Sequence, residues 1–542
     1  MRKGSFGRVA CCVAAVLFSG VRASADVGQS PNRCKFVAAG WDLEAQTPES
    51  VLRSANLLSK TGLDGISIGF PKVMCRDGKT RNFHWGTMTA MVGYEDLRSH
   101  IPAMRELVRG GRLSESFVMT CWTPVGKSRR LDWRDDAVWR RVADNMALAA
   151  RIAKEAGWRG LFCDNEDYSH KAQYVMSGGD LPYKQMRALA RKRGSEIGSA
   201  VFAAYPNIRL FFFWGLTFNK AYRSSVDPAG SMVQSGDLWP AFLDGLFDVM
   251  PPTAVFIDGN EHAYDFRPGS ADFAVAAKDA LVRLPALLSP ENRGKYRAQM
   301  QVSFGQFMNI FVNEKRKTQS EKAAMLRQAL QGAAASADEY VWLWGEKCKW
   351  VDWPDFRPAY PHERVTNATW AEELPGLPQI LENVRNPLGR LNDRFEAARA
   401  GGTPNLIASK IKNWRKCTWK AKDDPGTFDG ASDGSVVRMT GTREGDYTFE
   451  CGVMPGKTYL CGCRYRSQGT AHCEVRWKAN GKWAKNGPIV VAEPPDDEGW
   501  RRARVEAVAP EGIDGLVWIF EAHLEKGEIA EFADAVVYEA ED

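Results

Sequence analysis

Three acidic clusters follow short apolar runs in the first two-thirds of the chain. Asp164-Asn165-Glu166-Asp167-Tyr168 follows Gly160–Cys163, Asp258-Gly259-Asn260-Glu261-His262 follows Thr253–Ile257, and Glu346 follows Tyr340–Trp344. Asp164 and Glu166 are two residues apart, the spacing that puts two side chains on one face of a strand. Paired carboxylates cleave glycosidic bonds. One is held protonated and donates to the leaving oxygen, while the other ionises and attacks the sugar or activates water. A hydrophobic wall raises the pKa of the donor. A lone strand-end acid more often caps a helix or pairs with Lys or Arg. Here Asp164, Glu166, Asp258, Glu261 and Glu346 fall at three alternate positions of one repeating pattern, and the expectation is that at least two are catalytic.

Aromatic residues accompany these acids. Sugars present apolar C–H faces that stack on rings, so Trp41, Trp122, Tyr168, Trp214 and Trp344, with Asp42, are expected to bind substrate. Phe70, Trp342 and Trp350 share the strand ends and equally suit packing against a helix layer. Residues 71–95 form a long insertion carrying Arg76, Arg81, Phe83, His84 and Trp85, and long loops on an active face are commonly functional. Other chemistries lack their signatures. Seven His occur without H-x-H or H-E-x-x-H, no G-x-S-x-G elbow is present, and Gly126-Lys127-Ser128 lacks the leading Gly of a phosphate loop. No metal and no organic cofactor is implied.

The elements that must position the acids recur eight times. The runs are Phe36–Trp41, Gly65–Phe70, Ser116–Trp122, Gly160–Asp164, Ile208–Trp214, Thr253–Asp258, Ala298–Phe304 and Tyr340–Trp344. Most are roughly 40–50 residues apart, enough for a strand, a helix and two loops. Val138, Val142, Met146, Ala149, Ala153 and Ala156 lie at helical spacing with Gly157 as a stop, and Glu321–Gln331 is a second clear helix. The pattern predicts a (β/α)8 barrel over residues 26–400, with chemistry at the C-terminal ends of its strands. A doubly wound open sheet is the rival, and Gly40-Trp41-Asp42 is not its phosphate turn. A linker is expected at 401–404. Residues 405–542 alternate short strands with Pro-Gly, Asn-Gly and Glu-Gly turns, the mark of a β-sandwich.

The 542-residue chain carries 72 basic and 66 acidic side chains. Four of the basic ones lie in the first 25 residues, so the remainder is nearly balanced and gives no sign of a nucleic-acid partner. Trp accounts for 19 of the residues, consistent with either ligand platforms or a Trp-rich core. Basic residues 1–8, the apolar run Val9–Leu17 and Ala23-Ser24-Ala25 read as a secretory signal peptide cut after Ala25. The expected product is secreted or periplasmic, with no stable membrane insertion. Ten cysteines remain, without C-x-x-C or zinc spacing, and are expected to be mostly structural.

The barrel half resembles exported bacterial glycoside-hydrolase-like proteins. The resemblance covers roughly residues 35–400 and is carried by Gly160–Tyr168, Val255–Glu261 and Tyr340–Glu346. Asn165-Glu166 after the fourth run is similar to the acid/base site of the large retaining-glycosidase clan. That clan also has a Glu after the seventh strand, where this chain reads Ser303-Phe304-Gly305-Gln306. Asp164-x-Glu166 is similar to the ending of chitinase-type motifs, and acids after the fourth and sixth runs to α-galactosidase-like enzymes. The C-terminal part resembles jelly-roll carbohydrate-binding modules through Pro404–Ile407, Trp414, Pro455–Tyr459, Gly499-Trp500 and Phe532–Tyr538. Its candidate platforms are Trp477, Trp483, Trp500 and Trp518. The resemblances imply a glycoside hydrolase with a carbohydrate partner. A glycan-binding barrel without catalysis, and a structural surface protein, are the alternatives. N-terminal sequencing of the exported protein should begin at Asp26, and an intact Met1 would refute the cleavage.

Overall fold

The computed structural model describes residues 34–540 except 76–77, 112, 127–128, 169, 220–221, 223–224, 269, 355, 357–364, 408–414, 419–426, 431–435, 444, 489 and 494. The expected signal peptide, Arg76 and Trp414 lie outside the described residues. The chain divides into two compact units, with the boundary between Pro387 and Leu388. Among the described residues no helix is long and apolar enough to cross a membrane.

The first unit is a parallel (β/α)8 barrel. Its strands are β1 (Lys35–Gly40), β2 (Gly65–Ile68), β3 (Phe117–Cys121), β4 (Gly160–Asp164), β5 (Arg209–Phe212), β6 (Val255–Asp258), β7 (Met300–Val302), β8 (Phe304–Phe307) and β9 (Tyr340–Gly345). The eight predicted runs are all present, the seventh being split at Ser303 into β7 and β8. The hydrogen-bonded order is β8-β9-β1-β2-β3-β4-β5-β6-β7. Ser303 joins the two ends, with its N–H donating to the Asp258 carbonyl (2.9 Å) and its Oγ to the Tyr340 carbonyl (2.8 Å). Helices cover the outside. Asp136–Ala156 begins where the Asp135 carboxylate accepts from the N–H groups of Ala137 and Val138, and ends at left-handed Gly157, which a side chain would strain. Gln319–Ser336 starts with a Thr318–Glu321 capping box.

Alternation along the strands separates two cores. Val37, Ala39, Phe117, Met119, Phe162, Phe211, Phe213, Ile257, Tyr340, Trp342 and Trp344 pack inside the barrel. Phe36, Val118, Leu161, Cys163, Phe212, Phe256 and Leu343 belong to the core shared with the helices. The N-terminal end of the barrel is closed by ion pairs. Lys35 bridges Glu115 (3.0 Å) and Glu339 (2.7 Å), Arg159 pairs with Glu115 (2.7 Å), and Arg209 pairs with Glu339. Burial pushes Glu339 up, but the hydrogen bonds from Lys35 and Arg209 outweigh it and hold its carboxyl down at about 2.

The second unit is a sandwich of two antiparallel sheets, of five and six strands. Trp477 and Trp518 are buried in its core, so neither is a platform, while Trp483 is 55% exposed. Cys463 and Cys473 face each other with their Sγ atoms 3.4 Å apart. Helix Pro387–Ala400 lies ahead of the expected linker yet, from Leu388 onward, belongs to this unit. Phe395 packs with Leu460, Tyr538 and Ala540 on the outer face of the six-stranded sheet. Removing a buried aromatic ring such as Phe395 costs ~3–5 kcal/mol. A fragment comprising 388–542 should therefore melt cooperatively and at a higher temperature than 405–542, as followed by circular dichroism. Equal melting of the two fragments would reject this boundary.

Candidate active site

The barrel mouth gathers four of the five predicted acids. Asp164 ends β4 in phase with lumen-facing Phe162, and it is fully buried. Its Oδ1 accepts the Glu166 N–H (3.0 Å), which turns the chain at the rim. Tyr168, 45% exposed, donates its hydroxyl to Glu166. Glu346 follows β9, whose Trp342 and Trp344 also face the lumen. Trp344 Nε1 donates to Glu346 Oε1 (2.9 Å), and the Glu346 N–H donates to Asn309 Oδ1 (3.1 Å). Glu261 follows Asn260, which adopts the left-handed conformation that Asn tolerates better than most residues.

These carboxyls act on one another. Burial raises the Glu166 carboxyl to about 7, with further upward pressure from Asp164 and Glu346 and opposition from the Tyr168 hydroxyl. Burial also raises Glu261, reinforced by Glu166, Asp164 and Glu346 and opposed by Tyr264. Glu346 is raised by burial and held back by Trp344. Among the described residues, no lysine or arginine pairs with any of the four. No group of three or more His, Cys, Asp or Glu among them is arranged to hold a metal ion.

Three predicted residues are elsewhere. Asp258 is in phase with Phe256, so it points into the helix layer and not into the mouth. It is fully buried and accepts from the N–H groups of Gly215 (2.9 Å), Thr217 (3.2 Å) and Asn260 (3.2 Å), and from the Thr217 hydroxyl. It shapes the loops after β5 and β6 and is not a catalytic acid. Trp122 is in phase with Val118, fully buried, with its ring edge-on to Phe212 (4.8 Å) and Phe242 (6.1 Å). It packs between barrel and helices and cannot stack on a substrate. Asp42 is fully buried and accepts from Trp350 N–H (2.8 Å) and Trp353 Nε1 (3.1 Å). Burial raises its carboxyl to about 6 despite those donors, and its role is to anchor the loop after β9.

The remaining aromatics stay at the top of the barrel. Trp41 adjoins the lumen cluster, half-buried. Trp214 lies 5.4 Å from His262 and 5.1 Å from Phe218, ring to ring. Asn165 ties the fourth and fifth loops together by donating to the Trp214 carbonyl (3.0 Å) and accepting its N–H (3.3 Å).

The insertion after β2 delivers His84 to the site. Its Nε2 is 3.7 Å from Asp164 Oδ2, and its Nδ1 is 4.0 Å from Glu44 Oε1. His84 is buried, and a Cβ at Gly69 would come within 2.8 Å of its own Cβ, so Gly69 makes room for it. Trp85 lies tilted against His84 (4.4 Å) and meets Tyr168 edge-on (5.2 Å). Glu44 and Tyr264 were outside the sequence expectation. Tyr264 packs on Phe307 (5.3 Å) and Trp342 (5.6 Å), and nothing in the sequence marks it apart from its nearness to Glu261.

No family model and no curated protein matches the chain. Among solved structures, similarity extends to a glucosidase from Croceicoccus marinus at 10% identity, over 95% of this chain and 98% of that one, with a TM-score of 0.38. TmCBM61, solved in complex with β-1,4-galactotriose, matches 25% of this chain and 94% of its own at 13% identity and a TM-score of 0.19. The enzymatically active domain of bacteriophage CBA120 tailspike protein 4 matches 25% of this chain at 14% identity and a TM-score of 0.18, and the match spans only 21% of the tailspike chain.

The raised Glu261 carboxyl gives a stability test. The folded state holds this proton to higher pH than the unfolded chain does. Its effect is absent below the unfolded pKa and becomes a growing penalty as pH rises above it. Glu261→Gln should therefore raise the melting temperature at pH ~8 and leave it unchanged near pH ~4. The same difference at both values would show that the folded state binds no extra proton there.

Proposed function

We propose that the barrel is an exported glycoside hydrolase and that the sandwich is a glycan-holding module. The observation that carries this reading is the convergence of Asp164, Glu166, Glu261 and Glu346 in one aromatic-lined mouth with, among the described residues, no paired Lys or Arg. Acid catalysis works best when the donor's pKa lies near the working pH. Glu166, at about 7, meets that condition and sits at the rim beside Tyr168. It is the proton donor. Glu346 accepts from Trp344 Nε1, a donor that supports its ionised form against the burial that raises it, and it is the nucleophile or the base. Glu261, deeper and under pressure from three neighbouring acids, stays protonated and hydrogen-bonds a sugar hydroxyl. Trp41 and Trp214 supply stacking faces.

The pH dependence follows from the donor. Below about 7 Glu166 holds its proton, and activity on an unactivated glycan falls as pH rises through that value. Glu166→Gln keeps the shape but cannot donate. It should lower turnover of a natural glycan by ~10²–10⁴ and abolish the alkaline limb of the pH profile. An aryl glycoside with an activated leaving group should be affected much less. Near-wild-type turnover of the natural glycan by Glu166→Gln overturns the assignment. A wild-type chain that binds glycans from a broad panel yet hydrolyses none overturns the enzymatic reading.

A further inference from the structure

The outer face of the six-stranded sheet contains a cavity of about 270 Å³, lined by helix Pro387–Ala400 and by strands Thr458–Ser467, Arg501–Val508 and Ile529–Glu539. This is just under the ~300–1,000 Å³ typical of ligand clefts and suits one sugar ring with a substituent. Strand alternation makes the cavity polar. Cys461, Cys463, Ala503 and Val505 turn into the sandwich core, so Gly462, Arg464, Arg502 and Arg504 turn outward. At Gly462 a Cβ would come within 2.8 Å of the Phe395 ring, so the missing side chain lets that ring form one wall.

Four arginines, Arg399, Arg464, Arg502 and Arg504, line the cavity against two acids, Glu396 and Asp534. Asp534 is occupied by Arg464 (2.6 Å), and Arg502 is 3.7 Å from Glu493. Arg504 lies over the Phe395 ring at 4.7 Å and donates to Asn392. Among the described residues, neither Arg504 nor Arg399 has a carboxylate ion-pair partner. Burial and the adjacent Arg502 both work against the charge on Arg504. Beside the cavity, Trp500 lies under the guanidinium groups of Arg464 (5.2 Å) and Arg466 (4.8 Å). Arg466 is itself paired with Glu531 (2.6 Å).

We propose that this cavity binds the oxyanion of an acidic sugar, a uronate carboxylate or a sulfate ester, with Arg504 and Arg399 as its principal partners and Trp500 as the adjoining stacking ring. Guanidinium forks match planar and tetrahedral oxyanions through paired charge-assisted hydrogen bonds. A group placed there relieves the like-charge crowding of Arg502 and Arg504. The proposal rests on the reading of the sandwich as a glycan module and is independent of the barrel's chemistry.

The test is affinity electrophoresis of the full chain in gels containing polygalacturonate, its fully methylated ester, dextran sulfate or single-stranded DNA. Retardation by polygalacturonate or dextran sulfate, with little by the neutral ester or DNA, is expected. Whichever of the two acidic polymers retards more identifies the carboxylate or the sulfate as the preferred group. Arg502→Gln with Arg504→Gln should weaken retardation ~10-fold or more. Because Arg504 also packs on Phe395, the exposed Arg399→Glu provides a second variant that should weaken it without changing the melting temperature. Equal retardation by the neutral ester overturns the anion site and leaves the glycan module standing. Equal retardation by DNA overturns sugar recognition. Acid-polymer binding that survives both variants places the site elsewhere, and no retardation in any gel overturns both the site and the module.

Discussion

Side chains alternate across a pleated strand, and in a closed barrel that alternation has two destinations, the lumen or the helix layer. The geometry of the mouth depends on this. Asp164 shares a phase with Phe162 and reaches the mouth, whereas Asp258 shares one with Phe256 and is turned away from it. The two aspartates end equivalent strands, yet one adjoins the other carboxyls of the mouth and the other pins a loop. The same rule turns Trp122 outward and keeps Trp342 and Trp344 inward. In the second unit it sends Cys461 and Cys463 into the core and the arginines outward.

The two ends of the barrel treat charge in opposite ways. At the N-terminal end Glu115 and Glu339 are matched by Lys35, Arg159 and Arg209, so their charge stabilises the fold while they stay ionised. At the mouth Glu166, Glu261 and Glu346 have burial and one another for company, and their carboxyls are pushed upward. The first arrangement favours stability, and the second favours carboxyls that keep their protons to higher pH than exposed ones do. A protein that holds both separates them by the length of its strands.

Much of this was legible in the sequence. The eight runs, the change to strands and turns, and the acids after the fourth, sixth and eighth runs all read directly. The phase of the acids did not. In Thr253–Asp258, Phe256 and Ile257 are both apolar because the parallel sheet is covered on both faces, and alternation cannot be read from such a run. His84 lay in a loop already marked as functional, but its approach to Asp164 depends on the path of residues 71–95 and on the space left by Gly69. The helix Pro387–Ala400 continued the barrel's rhythm in sequence. Its Leu391 and Phe395, four apart, share a helix face in the sequence, a spacing that does not name the core they pack on.

The split seventh strand and the ladder between β1 and β9 bear on how the barrel is assembled. The six residue pairs from Lys35↔Tyr340 to Gly40↔Gly345 join segments from opposite ends of the unit. Contacts this distant carry a large chain-closure entropy and tend to form late in folding. Until β9 arrives, the growing sheet ends in two unpaired apolar edges, β1 and the interrupted seventh strand. A chain lacking Tyr340–Gly345 would keep both edges open and be prone to edge-to-edge association. Ring closure is therefore the step that protects this barrel from aggregation as well as the step that completes its mouth.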